Sequence, residues 1–184
     1  MVHTKAERLK YLSKIIKVKK FKNIEIPKLY FFTKKKFELN RENIFLNIKK
    51  KFKSKKIIIR SSTKNEDLEN ITNAGKYLSF TNVNVNRQEI FKYIYKIIEK
   101  FDSKNDQILI QEFIEKPDLS GVIFTRELNS DSPYYVVNYD SSGLTNTITS
   151  GKFHQSMKTE YVYKEKKNYS KKFKFFLNNL EKIE

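Results

Sequence analysis

Apolar residues recur at helical spacing in four stretches of the chain and at strand spacing in several others. Thr4 to Ile16 places Leu9, Leu12 and Ile16 on one stripe, and Thr4 with Glu7 forms a capping box, so a helix is predicted there. Ile24 to Thr33 reads as extended, with Pro27 marking an irregular or edge start. Asn40 to Phe52 predicts a second helix with Ile44, Phe45, Ile48 and Phe52 on one face. Lys56 to Arg60 is a β-branched run typical of a buried strand, followed by a polar, loop-like stretch from Ser61 to Asn73. Lys76 to Val83 alternates as a strand. Asn86 to Phe101 predicts a third helix through Ile90, Phe91, Ile94, Ile97, Ile98 and Phe101, with Asn86 and Glu89 at its cap.

The texture then changes. Gln107 to Phe113, Gly121 to Thr125, Tyr134 to Tyr139, Thr147 to Thr149 and Lys158 to Tyr163 are short β-rich runs, separated by turn signals such as Pro117-Asp118 and Asn129 to Pro133. Tyr169 to Ile183 returns to a helical period. Lys164 to Lys174 reads as a solvated helix start or a linker. Helix, strand, helix, strand and then a meander predict an α+β chain of two unequal lobes.

Composition narrows the classes. With 184 residues, 39% hydrophobic, 15 Phe and 11 Tyr, the chain can bury a core, and four Gly with three Pro argue against a linker-rich chain. There is no Cys, which excludes disulfides and thiolate metal sites. The start of the chain lacks an apolar signal core, and no apolar run approaches the roughly 20 residues that span a bilayer. The expectation is a cytoplasmic protein without a membrane partner. The formal charge of +17 rests mostly on lysines spread through every segment. With the many Ile and Asn, they read as a compositional bias and a solvated face rather than a nucleic-acid footprint. Such a surface still attracts anions in a salt-dependent way.

The candidate chemistry lies at Arg60-Ser61-Ser62. A buried strand delivers one of only five arginines, then two hydroxyls, to a strand end. A guanidinium forks onto phosphate oxygens as lysine cannot, and hydroxyls and loop amides add donors. Arg60, Ser61 and Ser62 are therefore candidate polyphosphate contacts. Glu66-Asp67 would orient Arg60 or cap a following helix.

The motif order resembles the nucleotide-binding part of the pyruvate phosphate dikinase and phosphoenolpyruvate synthase family. Its phosphate loop runs roughly V-R-S-S-A-x-x-E-D, then A-G and N-V; Arg60-Ser61-Ser62, Glu66-Asp67, Ala74-Gly75 and Asn82-Val83 fall in step. Thr4-Lys5-Ala6 to Leu9 and Ile26-Pro27 to Phe32-Thr33 follow the family's opening, with His3-Thr4 where the family has a glycine pair. Ile108 to Ile114 resembles the family's strand against adenine, and Ser120-Gly121 to Arg126 its S-G-V-x-F strand. The resemblance implies an ATP-grasp-type fold, in which Lys5 and Arg60 meet the phosphates. Gln111, Glu112, Phe113 and Ile114 would lie against adenine, with Arg126 a further nucleotide contact. It divides the chain into a phosphate-binding lobe (1–104), a β-rich adenine-binding lobe (105–163) and a helix (164–184) that begins a missing segment.

The implied activity is ATP-dependent phosphoryl transfer to a histidine and on to a small-molecule acceptor. The Asn138-to-Gly151 region is similar to a side branch found with capsule and surface-glycan genes, which includes glutamine kinase-like enzymes. Thr145 and Asn146 stand where the family has glycine and glutamate, and an amide binds a divalent cation more weakly than a carboxylate. The family's Mg²⁺-binding segments are not found before Glu184, so no catalytic residue or metal ligand is assigned. His154 reads as a surface residue. The expectation is an incomplete, truncated module. Two rival readings stand beside it: a basic nucleic-acid-binding protein and a catalytically inert fragment.

Overall fold

Isoleucine at alternate positions of one strand decides how the first sheet is covered. A computed structural model describes residues 3–21, 23–53, 55–64, 77–143, 156–166 and 169–182. It shows an α+β chain that divides into two compact units, Met1–Phe113 and Ile114–Glu184. The first contains α1 (Lys5–Val18), β1 (Leu29–Thr33), α2 (Lys34–Phe52), β2 (Ile57–Ser62), β3 (Ser79–Val83), α3 (Arg87–Ile98) and β4 (Gln107–Glu112). The strands form an antiparallel sheet in the order β1-β4-β2-β3.

Ile57 and Ile59 point to one face of this sheet with Phe32, Ile108 and Ile110, all buried. Onto them α2 sets Phe37, Ile44, Ile48 and Phe52, and α3 sets Ile90, Phe91, Ile94 and Ile97. Each fully buried aliphatic or aromatic side chain contributes about 1.5–3 kcal/mol. The opposite face carries Ile58, Arg60 and Ser62 of β2. In register they face Gln111, Leu109 and Gln107 of β4, and beyond these Leu29, Phe31 and Thr33 of β1. The first turn of α1 meets this second face.

Three differences from the sequence reading have plain causes. Ser61 and Ser62, expected in a loop, continue β2, because each pairs with β4 opposite Ile108 and Gln107. α2 begins at Lys34 rather than Asn40: Thr33 accepts a hydrogen bond from Lys36 N–H (3.2 Å), and the helix kinks at Asn40 (φ −140°, ψ 40°). The early turn places Phe37 against Phe32 and Phe91, with ring centroids 5.9 and 5.5 Å away. Finally, the division expected after residue 104 falls after Phe113, because β4 is a central strand of the first sheet.

The second unit is a meander of β5 (Ser120–Phe124), β6 (Tyr134–Asp140) and β7 (Met157–Tyr163), closed on one face by α4 (Lys171–Leu180). Tyr135, Val137 and Tyr139 pack with Tyr169, Phe173 and Leu177. Tyr169 and α4, within the 164–184 helix expected to begin a missing segment, thus supply the cover of this sheet. Gly121 sits opposite Tyr139, where a Cβ would lie 2.5 Å from the Asn138 carbonyl oxygen. The strand expected at Thr147 to Thr149 lies outside the described residues. No helix among the described residues is long and apolar enough to cross a membrane.

Candidate functional site

A helix start leaves four backbone N–H groups without intrahelical partners, and in α1 they are met partly by the sheet. Thr4, in an extended conformation, accepts from Glu7 N–H (3.3 Å), and the Glu7 carboxylate accepts from Thr4 N–H (3.0 Å). This is the capping box expected from the sequence. Tertiary bonds extend it. Ala6 N–H donates to Ser62 Oγ (2.9 Å), the Thr4 hydroxyl donates to Gln107 Oε1 (2.7 Å), and Gln107 Nε2 donates to Glu7 Oε1 (3.0 Å). Thr4, Ala6 and Ser62 are buried. The helix start is thereby fastened to the ends of β2 and β4. Donation from Thr4 N–H holds the Glu7 carboxyl below the ordinary carboxylate range; burial opposes this, and Gln107 and His3 assist it.

Lys5 is the first residue of α1 and is half-buried beside this junction. Arg60 lies two residues before Ser62 on the same face, opposite Leu109, and its Nε is buried with no hydrogen-bond partner among the described residues. Ser61 points to the other face. Its hydroxyl is buried with no partner among the described residues, and the residue is only 2% exposed. Of the three expected contacts on β2, Arg60 and Ser62 therefore share a face with the start of α1 and Ser61 does not. Ser62 already accepts from Ala6, and Glu7 already supplies a negative charge to the positive helix end. An incoming phosphate would thus be met by the Lys5 and Arg60 cations rather than by free helix amides. Along α1, Arg8, Lys10 and Lys14, with Lys64, His3 and the Glu7 carboxylate, border an open, mostly basic groove of ≈ 800 Å³. Its size is in the range of small-molecule sites.

The expected adenine segment is held by its backbone. Glu112 N–H donates to Lys28 C=O (3.0 Å) and Phe113 N–H to Lys56 C=O (2.9 Å). The Glu112 carboxylate pairs with Lys55. The Gln111 position faces Leu29 and Ile58 across the sheet, and Ile114, 52% exposed, begins the second unit. The backbone donors of Glu112 and Phe113 are thus already used. Arg126 lies in the exposed turn after β5 and binds Asp131 Oδ2 at 2.8 Å. In the same turn Glu127 accepts from Asn129 and Ser130, whose N–H groups hold its carboxyl below the ordinary range.

Gln107 is the residue that sequence reasoning missed. It opens an apolar run as one polar position, and its partners Thr4 and Glu7 lie 103 and 100 residues away in the chain. The expected roles of Glu66-Asp67, Ala74-Gly75, Thr145, Asn146, Gly151 and His154 fall outside the described residues. Among the described residues, no group of three or more His, Cys, Asp or Glu side chains could hold a metal ion. No protein-family model and no curated protein sequence matches the chain.

Proposed function

We propose that this chain is the ATP-binding, ATP-grasp-type part of a phosphotransferase similar to phosphoenolpyruvate synthase and pyruvate phosphate dikinase. The observation that carries the reading is the Ala6 N–H to Ser62 Oγ bond of 2.9 Å. It ties the helix start bearing Lys5 to the strand end bearing Arg60, two motif residues 55 positions apart. The buried Arg60 Nε, with no partner among the described residues, supports the same reading, since an unpaired buried donor is costly without a ligand. Arg60 would bind phosphate oxygens with its planar fork and Lys5 would add a point charge. The ≈ 800 Å³ groove along α1, lined by neither Lys5 nor Arg60, is of a size with small-molecule sites.

Transfer of the phosphoryl group to a histidine and on to a small acceptor is the activity that the resemblance implies, and none of the chain's residues is assigned those steps. The described residues do not assemble the acidic cluster that would hold Mg²⁺, so no step is routed through it.

Calorimetric titration of the chain with ATP, with and without Mg²⁺, tests the reading. Loss of one charge-assisted contact is worth about 1.5–3 kcal/mol, so Arg60→Ala should weaken ATP binding about 10- to 100-fold. Unchanged affinity in Arg60→Ala would overturn the proposal. Tight, salt-sensitive binding of a short RNA with no preference for ATP would favour the nucleic-acid reading instead.

A further inference from the structure

Among the described residues, β1 lies at one edge of the first sheet and pairs with β4 alone. Glu112 N–H donates to Lys28 C=O, so Lys28 and, two and four residues on, Tyr30 and Phe32 turn their backbone groups toward β4. Leu29 and Phe31 therefore turn theirs outward. An open groove of ≈ 580 Å³ runs along that edge. Lys10 and Lys17 of α1 border it on one side of the sheet and Lys51 of α2 on the other, with Lys28 at the start of the strand. Tyr30 and Phe31 both line it, so the groove straddles the edge rather than lying on one face. Among the described residues, no Asp or Glu borders it.

We propose that the free edge of β1 is a docking site for an extended acidic peptide segment of another protein, which adds to the sheet as a fifth strand. Outward N–H and C=O groups repeat every second residue, about 6.8 Å apart, and an extended peptide presents matching groups at that spacing. A nucleic acid does not. Side chains of the added strand would point alternately toward Lys10 and Lys17 and toward Lys51, so acidic residues find a cation on either side. Lysines bordering a sheet edge also repel pairing with a second copy of a chain that carries +17. The same four side chains thus select against self-association and for an acidic partner.

The test uses the full chain and a fluorescent ten-residue peptide of alternating Val-Val and Glu-Glu pairs, which sets Glu on both faces of the strand, read by anisotropy at physiological salt. A second peptide of identical charge carries an N-methyl group on every amide, which removes the strand hydrogen bonds of both its edges and keeps its charges. The proposal expects the first peptide to bind and the second to bind at least tenfold more weakly. It expects slowed hydrogen exchange at the Leu29 and Phe31 amides in the complex. It expects at least tenfold weaker binding by Lys17→Glu/Lys51→Glu, two exposed positions. Equal binding of the two peptides reduces the effect to charge and overturns the proposal. So does absence of binding, or displacement of the peptide by a short oligonucleotide that leaves the two amides unprotected. Should the charge-reversed variant misfold, the comparison of the two peptides on the wild-type chain decides alone.

Discussion

Adjacent serines on β2 should respond to the same substitution with opposite signs. Ser62 is fully buried and its hydroxyl accepts from the N–H of Ala6, itself fully buried. Ser62→Ala leaves that N–H without a partner at a helix start that α1 cannot satisfy internally. A buried donor left unpaired costs about 1–3 kcal/mol, and about 2 kcal/mol is expected here. Ser61 is 2% exposed and its hydroxyl has no partner among the described residues. Ser61→Ala therefore removes a desolvated oxygen and breaks no bond, and should be neutral or stabilising by up to about 1 kcal/mol. Urea unfolding followed by circular dichroism at the helix band separates the two, since the chain has no Trp to report. At a slope of roughly 2 kcal/mol per molar urea, Ser62→Ala should lower the midpoint by about 1 M. Ser61→Ala should leave the midpoint unchanged or raise it. Equal destabilisation by both variants would refute the assignment of the two hydroxyls to opposite faces. A neutral Ser62→Ala would refute the claim that this bond anchors α1.

Two further outcomes follow from local geometry. Gly121→Ala places a methyl group 2.5 Å from a backbone oxygen of β6, so the strands must separate; the second unit should lose about 1–3 kcal/mol, seen as a lower calorimetric transition temperature. Glu7 has a lowered pKa in the folded chain. Its stabilisation is complete above the ordinary glutamate value of 4.5 and is lost as pH falls further, through the lowered value of the folded state. Glu7→Gln keeps an acceptor for the cap, so its stability should depend less on pH over that window than the wild type's. Parallel acid limbs in the two proteins would contradict the assigned cause.

Much of the secondary structure was legible because the core positions repeat cleanly. Ile90, Phe91, Ile94 and Ile97 announce α3, and Asn86 with Glu89 marks its start, as the 2.8 Å bond from Glu89 N–H to Asn86 Oδ1 bears out. The start of α2 was less visible, since Lys34, Lys35 and Lys36 carry no apolar signal and Phe37 is the lone core residue before the kink. The extent of β2 was hidden for a related reason: serines are turn formers by propensity, and only pairing with β4 makes them strand. The candidate site was legible in part. Arg60 stands out by its rarity, and Thr4 with Glu7 by its spacing. No local pattern announces that Ser62 and Gln107 receive the start of α1, because both contacts span more than fifty residues and depend on strand order.

That strand order also bears on how the first unit comes into being. β4 is the last of its strands to be synthesised, yet it lies between β1 and β2, which do not touch each other in the sheet. A nascent chain that stops short of residue 107 holds β1 without any partner and β2 with β3 alone, and it lacks the glutamine that receives the start of α1. The four-stranded order is therefore complete only once this six-residue segment pairs between β1 and β2. Its contacts are distant in the chain, and such pairings slow folding relative to local ones.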